Sequence, residues 1–158
     1  MNIFKNRWLT WITALVLGCT FIYSSYHKLA DPPDFAKVIY NYHLFPGVLI
    51  HLFAIYVPWF ELLAGLAVLS GIWRRGAALG FGLLSLFFIC ALGFNYLRGH
   101  PTVCGCFGTF AAGKEWTDEL KFAKMLREML VDVGLVILSA QILYATVAAK
   151  PAEALSEG

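Results

Sequence analysis

The chain has 158 residues, of which 59% are apolar, 16% aromatic and only 14% charged, with a formal net charge of +2. Soluble domains carry about 25% charged residues, so this chain lacks the charge to clothe a water-facing surface. That excludes a disordered chain, a nucleic-acid binder built on a basic patch and a soluble enzyme, and makes the lipid bilayer the first partner.

Taken in chain order, the uncharged runs locate the elements. Trp8 to Tyr26 contains no Asp, Glu, Lys or Arg and predicts a first span over about 8–27, since a helix crossing the hydrocarbon needs about 20 mostly apolar residues. Lys5 and Arg7 before it, and Val16-Leu17-Gly18-Cys19 within it, also resemble a signal peptide with a lipoprotein cleavage box. The bulk of Leu17 and the continuing apolar run Phe21-Ile22-Tyr23 favour a retained helix. Asp31-Pro32-Pro33-Asp34 then stops one helix and starts another, because Asp suits the N-cap and Pro the first turn. The following FAKVIYNYHLF reads as a short amphipathic helix ending at Pro46.

A second span is predicted over about 47–73, carrying the lone charge Glu61, and a third over about 76–97, carrying none. Arg74 and Arg75 lie in the short hairpin between them. The next connection, Arg98 to about Trp116, holds RGHPTVCGCFGTFAAGK, whose Gly, Pro and Thr content marks irregular structure. From Thr117, an N-cap followed by Asp118 and Glu119, a segment at the membrane surface is expected to bend into a fourth span over about 129–149. A polar tail, 150–158, follows. Leu, Ala, Gly and Phe without strict alternation argue against barrel strands. The predicted fold is therefore all-α: a polytopic membrane protein, one four-transmembrane-helix bundle over 1–149, with a cysteine-containing loop between helices 3 and 4. Both termini are assigned to the cytoplasm on Lys5, Arg7 and the Arg74-Arg75 anchor. A raw count of Lys and Arg in the loops tilts mildly the other way.

Two features carry candidate chemistry. Cys19 and Cys90 sit singly in spans and are expected to be small buried apolar residues. Cys104 and Cys106 instead flank Gly105 in the polar loop, where two thiols can close a small strained ring, the kind of disulfide that is labile and catalytic. Arg98 and His100 nearby favour a thiolate, the nucleophilic form. The pair can alternatively be a static bridge, or join His100 in a soft-metal site with two thiolates and an imidazole. The second feature is Glu61. His51, Ala54, Pro58, Glu61 and Gly65 share one helix face, and an ionisable residue there faces the bundle interior. Glu61 either transfers protons or binds a quinone-like head group, or pairs with a cation such as Lys28 to lock the bundle. Gly76 and Gly80 have the small-xxx-small spacing of helix packing. His27, His43 and His51 are read as interfacial or packing residues.

Lys28-Leu29-Ala30-Asp31-Pro32 with Phe35, Ile39, Tyr42, Leu44 and Pro46, then Pro58-Trp59-Phe60-Glu61-Leu62 with Gly65, resemble the first loop and second helix of the DoxX-like membrane family. Cys104-Gly105-Cys106-Phe107-Gly108 resembles the C-G-C-F-G loop of its methylamine-utilisation branch, MauE, and the likeness spans roughly residues 7–145. The resemblance implies a bacterial inner-membrane protein that takes part in thiol–disulfide exchange during maturation of periplasmic proteins, as in methylamine dehydrogenase biogenesis. Its partner would be a periplasmic thioredoxin-like protein or a secreted disulfide-containing client. No cofactor is fixed by it, although a quinone is left open. Quinone-linked disulfide generators use two cysteine pairs, whereas Cys19 and Cys90 are isolated here. The alternatives are a metal-handling or scaffolding protein that recruits a periplasmic partner, and an accessory subunit of a quinone-linked oxidoreductase.

Overall fold

The computed structural model describes residues 7–44, 46–100, 102 and 117–154, with side chains described as far as Val147. The described residues form five helices: α1 (Arg7–Ala30), α2 (Pro32–Asn41), α3 (Gly47–Ser70), α4 (Arg74–Leu97) and α5 (Asp118–Ala154). α1, α3, α4 and α5 are long and apolar enough to cross a membrane. Within α1, two threonine hydroxyls are absorbed by the helix itself. Thr13 donates to the Leu9 carbonyl at 2.8 Å and Thr20 to the Val16 carbonyl at 2.7 Å, as lipid demands of any hydroxyl without water.

Local sequence sets the ends. Asp31 caps α2, its carboxylate accepting from the Asp34 amide at 3.2 Å, with Pro32 and Pro33 in the first turn. α2 stops at Asn41, earlier than the Pro46 expected from sequence, because His43 adopts φ 50°, outside the helical region. Pro46 instead caps α3 with extended backbone. Gly71, at φ 80°, ends α3, and Trp73, at φ 55°, begins α4. The Arg74 side chain donates to the Val68 carbonyl and lies over the Trp11 ring at 4.2 Å. Arg75 donates to the Thr146 carbonyl. The hairpin is thus tied to α1, α3 and α5.

α5 differs from its sequence reading. It is one continuous helix from Asp118 to Ala154, and its first turns pack on the bundle instead of lying on the membrane surface. Met125 is fully buried, and Phe122 meets the Tyr96 ring edge-on at 5.8 Å. Four crossings return the start of α1 and the end of α5 to the end bearing Arg74 and Arg75. α2, the end of α4 and the start of α5 lie at the opposite end.

The interior is layered. One apolar cluster joins Phe35, Ile39, Ile50, Ala54, Phe88, Leu92 and Met125; another joins Leu17, Phe21, Val68, Phe81, Leu135 and Ile142. Between them every spanning helix contributes a buried polar residue: Ser24, Ser25 and Lys28 from α1, Glu61 from α3, Ser85 from α4 and Asp132 from α5. The outer surface is apolar, with Leu15, Leu63, Leu83 and Ile137 among many exposed side chains, as a lipid-facing bundle requires. Cys19 and Cys90 belong to that surface. Both are exposed, which corrects the expectation of burial: they sit on the faces of α1 and α4 turned from the core. His51 is also exposed, whereas Ala54, Pro58, Glu61 and Gly65 are buried.

α1 and α3 approach through glycines. A Cβ on Gly65 would lie 2.7 Å from Ile22 and 3.2 Å from the Gly18 carbonyl oxygen, and one on Gly18 would lie 3.2 Å from the Gly65 carbonyl oxygen. Gly80 accommodates the Phe60 ring, whereas a Cβ on Gly76 would meet nothing within 4 Å, so the small-residue pair of α4 is half packing. Gly65→Val should therefore destabilise the detergent-solubilised protein by about 1–3 kcal/mol, the usual cost of overpacking, while Gly76→Ala leaves thermal unfolding unchanged. Equal midpoints for the two variants would contradict the close approach.

Candidate functional site

Side chains on a helix lean toward its N-terminus. α1 and α3 run antiparallel, so Lys28, two residues from the end of α1, leans into the bundle while Glu61 leans toward it. Lys28 Nζ meets both Glu61 carboxylate oxygens, at 2.6 and 2.8 Å. The side chains are 0% and 1% exposed. Ser24, one helical turn before Lys28, is within side-chain hydrogen-bonding reach of Glu61. The ammonium also lies 5.0 Å from the Phe35 ring centroid and 5.4 Å from that of Phe88, so its remaining faces meet aromatic π-clouds.

α2 closes this layer at the membrane edge. Its buried Phe35, Val38 and Ile39 pack on Ile50, Ala54, Phe88 and Met125. Tyr42, just past the helix and 3% exposed, completes the cover. Burial holds the Tyr42 phenol well above its ordinary range, with the negative charges of Glu128 and Asp132 acting in the same direction, so it is neutral at physiological pH. One turn from Glu61, Pro58 is buried within α3 and releases the Ala54 carbonyl from its helical bond.

Sequence reasoning missed Asp132, counting it only as an extension of the last span. It is 2% exposed and joins Lys28 and Glu61 as the buried charged side chains among the described residues. Its signal was its spacing: seven residues from Met125 and seven from Ser139, both buried, it shares their face of α5. Asp132, Glu61, Ser24, Ser85 and Thr20 line one small cavity of about 10 Å³.

A second polar region lies at the α2 end. His43, Asn95, Arg98 and His100 line an open pocket of about 500 Å³. The His43 and His100 rings lie 6.4 Å apart, centroid to centroid. Thr102 is buried, its hydroxyl 3.8 Å from the Met125 sulfur. Cys104 and Cys106 lie outside the described residues, and with them two of the three members of the alternative metal site with His100. Among the described residues no cluster of three His, Cys, Asp or Glu side chains could hold a metal ion. A separate, almost wholly apolar cleft of about 430 Å³, lined by Phe53, Phe60, Phe87 and Gly80, opens beside Phe35 and Phe88. Its lining suits an apolar group.

Four apolar crossing helices around a buried ion pair and a second buried carboxylate define a polytopic all-helical membrane protein with a charged core. A family model described as "Methylamine utilisation protein MauE" matches residues 6–146, nearly the whole chain. The chain belongs to the MauE family. It is 37% identical over 94 residues to "Methylamine utilization protein MauE" of Methylophilus methylotrophus, covering 59% of this chain and 47% of that protein. It is 28% identical over 98 residues to the protein of the same name from Paracoccus denitrificans, covering 61% and 53% respectively. The chain thus spans about half the length of these curated relatives. No solved structure matches it.

Removing one partner of a buried ion pair strands the other, a loss of about 3–5 kcal/mol, whereas apolar replacement of both is often neutral. Lys28→Met and Glu61→Leu singly should each sharply lower the folded fraction in detergent, and the double variant should recover most of it. A double variant as unstable as the sum of the singles would contradict a coupled pair.

Proposed function

We propose that the protein is a membrane-embedded thiol–disulfide exchange protein in which Cys104 and Cys106 are the exchanging pair. The observation that carries this reading is the setting of their loop. The loop leaves α4 through Arg98 and His100, is pinned at Thr102 against Met125, and begins beside the polar mouth of His43, Asn95, Arg98 and His100. Cys104 and Cys106 follow Thr102 by two and four residues in the sequence. A guanidinium close to a cysteine favours thiolate over thiol; Arg98 precedes Cys104 by six residues, at an open mouth that a partner outside the membrane can approach.

In the exchange a thiolate attacks a disulfide sulfur and a mixed disulfide forms as the first sulfur–sulfur bond breaks. A second thiolate then resolves it. One S–S bond is made for each one lost, two electrons pass between the proteins, and each leaving thiolate takes a proton. The loop faces the periplasmic side of a bacterial inner membrane and both termini face the cytoplasm. The partner is a thioredoxin-fold protein or a secreted client rich in disulfides. The relatives, both methylamine utilization proteins, support methylamine utilisation as the setting, with maturation of a periplasmic methylamine-oxidising enzyme as the task. The approach of His43 to His100 supports one rival reading, in which the imidazoles and thiolates together hold a soft metal.

Single Cys104→Ser and Cys106→Ser variants distinguish them. Removing the resolving cysteine should trap a covalent, reductant-sensitive adduct with a periplasmic protein, detected by non-reducing electrophoresis and mass spectrometry. The double variant should trap none and should lose client disulfide formation. Full client maturation in the double variant would sink the exchange reading, and copper or zinc retained by purified protein and lost in His100→Ala would favour the metal.

A further inference from the structure

The polar layer holds one positive and two negative side chains, Lys28, Glu61 and Asp132, each no more than 2% exposed. Lys28 donates two hydrogen bonds to Glu61, leaving that pair neutral and the layer one positive charge short when Asp132 is ionised. Uncompensated charge in a membrane interior is costly. Two further observations point into the same place. Asp132 Oδ2 and the Ser85 hydroxyl are buried without a hydrogen-bond partner, and both residues line the cavity of about 10 Å³ shared with Thr20, Ser24 and Glu61. That volume sits at the lower bound for one water molecule, about 10–15 Å³, and is too small for any organic ligand.

We propose that Asp132 is an intramembrane proton-binding site, taking up one proton on its carboxylate beside the Ser85 hydroxyl and thereby neutralising the layer. The step moves a proton and no electrons: a hydronium ion in the adjoining cleft gives its proton to Oδ2 and is left as water, and the protonated oxygen donates a hydrogen bond within the cavity. The route is through Thr20. Thr20 and Leu135 line both this cavity and a larger cleft of about 550 Å³ between α1 and α5, which carries Lys124, Arg127 and Glu128. The Thr20 hydroxyl hydrogen is committed to the Val16 carbonyl, so its oxygen remains an acceptor between the two spaces. The charged and titratable groups facing Asp132 are Lys28 from α1, Glu61 from α3, Glu128 on α5 itself and Tyr42 beyond α2. α4 presents the uncharged Ser85.

Infrared difference spectroscopy of the full chain in lipid nanodiscs tests this without any client. The wild type should show the carbonyl stretch of a protonated carboxyl at neutral pH, shifting in heavy water and disappearing on alkalinisation. Asp132→Asn, nearly isosteric and neutral, should lose the band. Thr20→Val should retain it but slow its shift after transfer to heavy water. Absence of the band in the wild type at neutral pH would overturn the proposal independently of any variant. A band that persists in Asp132→Asn would place the proton elsewhere and overturn it too. A band removed by sodium at constant pH, but not by potassium, would make the site one for a small alkali cation and overturn the proton assignment.

Discussion

Inside a bilayer an ammonium and a carboxylate each lose several kcal/mol of solvation, and they are tolerated together only where geometry returns most of it. Lys28 and Glu61 meet that condition with two short hydrogen bonds and two flanking aromatic rings. The rest of the bundle follows from it. α1 and α3 must touch, which Gly18 and Gly65 permit. Lys28 must be kept from water at the membrane edge, which α2 does with Phe35, Ile39 and Tyr42. Apolar residues must seal the layer from both sides, and they do so on all four spanning helices. A pair of this kind contributes little net stability, but it disfavours any packing that separates its partners.

That specificity is what a membrane scaffold needs if it presents a short reactive loop. The two ends of the bundle are built differently. At one, Arg74 and Arg75 tie a three-residue hairpin to neighbouring helices. At the other lie the buried Thr102, the basic mouth of His43, Arg98 and His100, and the cover over the charged layer. Met125 joins the two regions physically, being buried beneath α2 and in contact with Thr102 at the root of the cysteine loop. Movement of that loop root would therefore press on the same cluster that shields Lys28.

Much of this was legible in the sequence, because the bilayer imposes a strong rule: uncharged runs of spanning length have few alternatives to a helix. The Lys28–Glu61 approach was also readable, since an intramembrane carboxylate requires a partner. What escaped did so for identifiable reasons. Asp132 lay where charged residues thin out toward the last span and looked like its border, because α5 was expected to bend there, whereas it runs unbroken to Ala154. Cys19 and Cys90 were expected inside because cysteine usually is, but in a membrane the outward face is apolar as well, and burial ceases to follow from hydrophobicity. α2 ended early because His43 takes a left-handed backbone, which composition does not announce.

The most direct measurement is thiol labelling of intact spheroplasts with a membrane-impermeant reagent, before and after a mild reductant, with each cysteine resolved by mass spectrometry. Cys19 and Cys90, on the lipid-facing surface, serve as internal controls that should stay unlabelled throughout. Labelling of Cys104 and Cys106 from outside, and only after reduction, is the result the exchange account predicts. Labelling of that pair only after the membrane is opened would place the loop in the cytoplasm and contradict it.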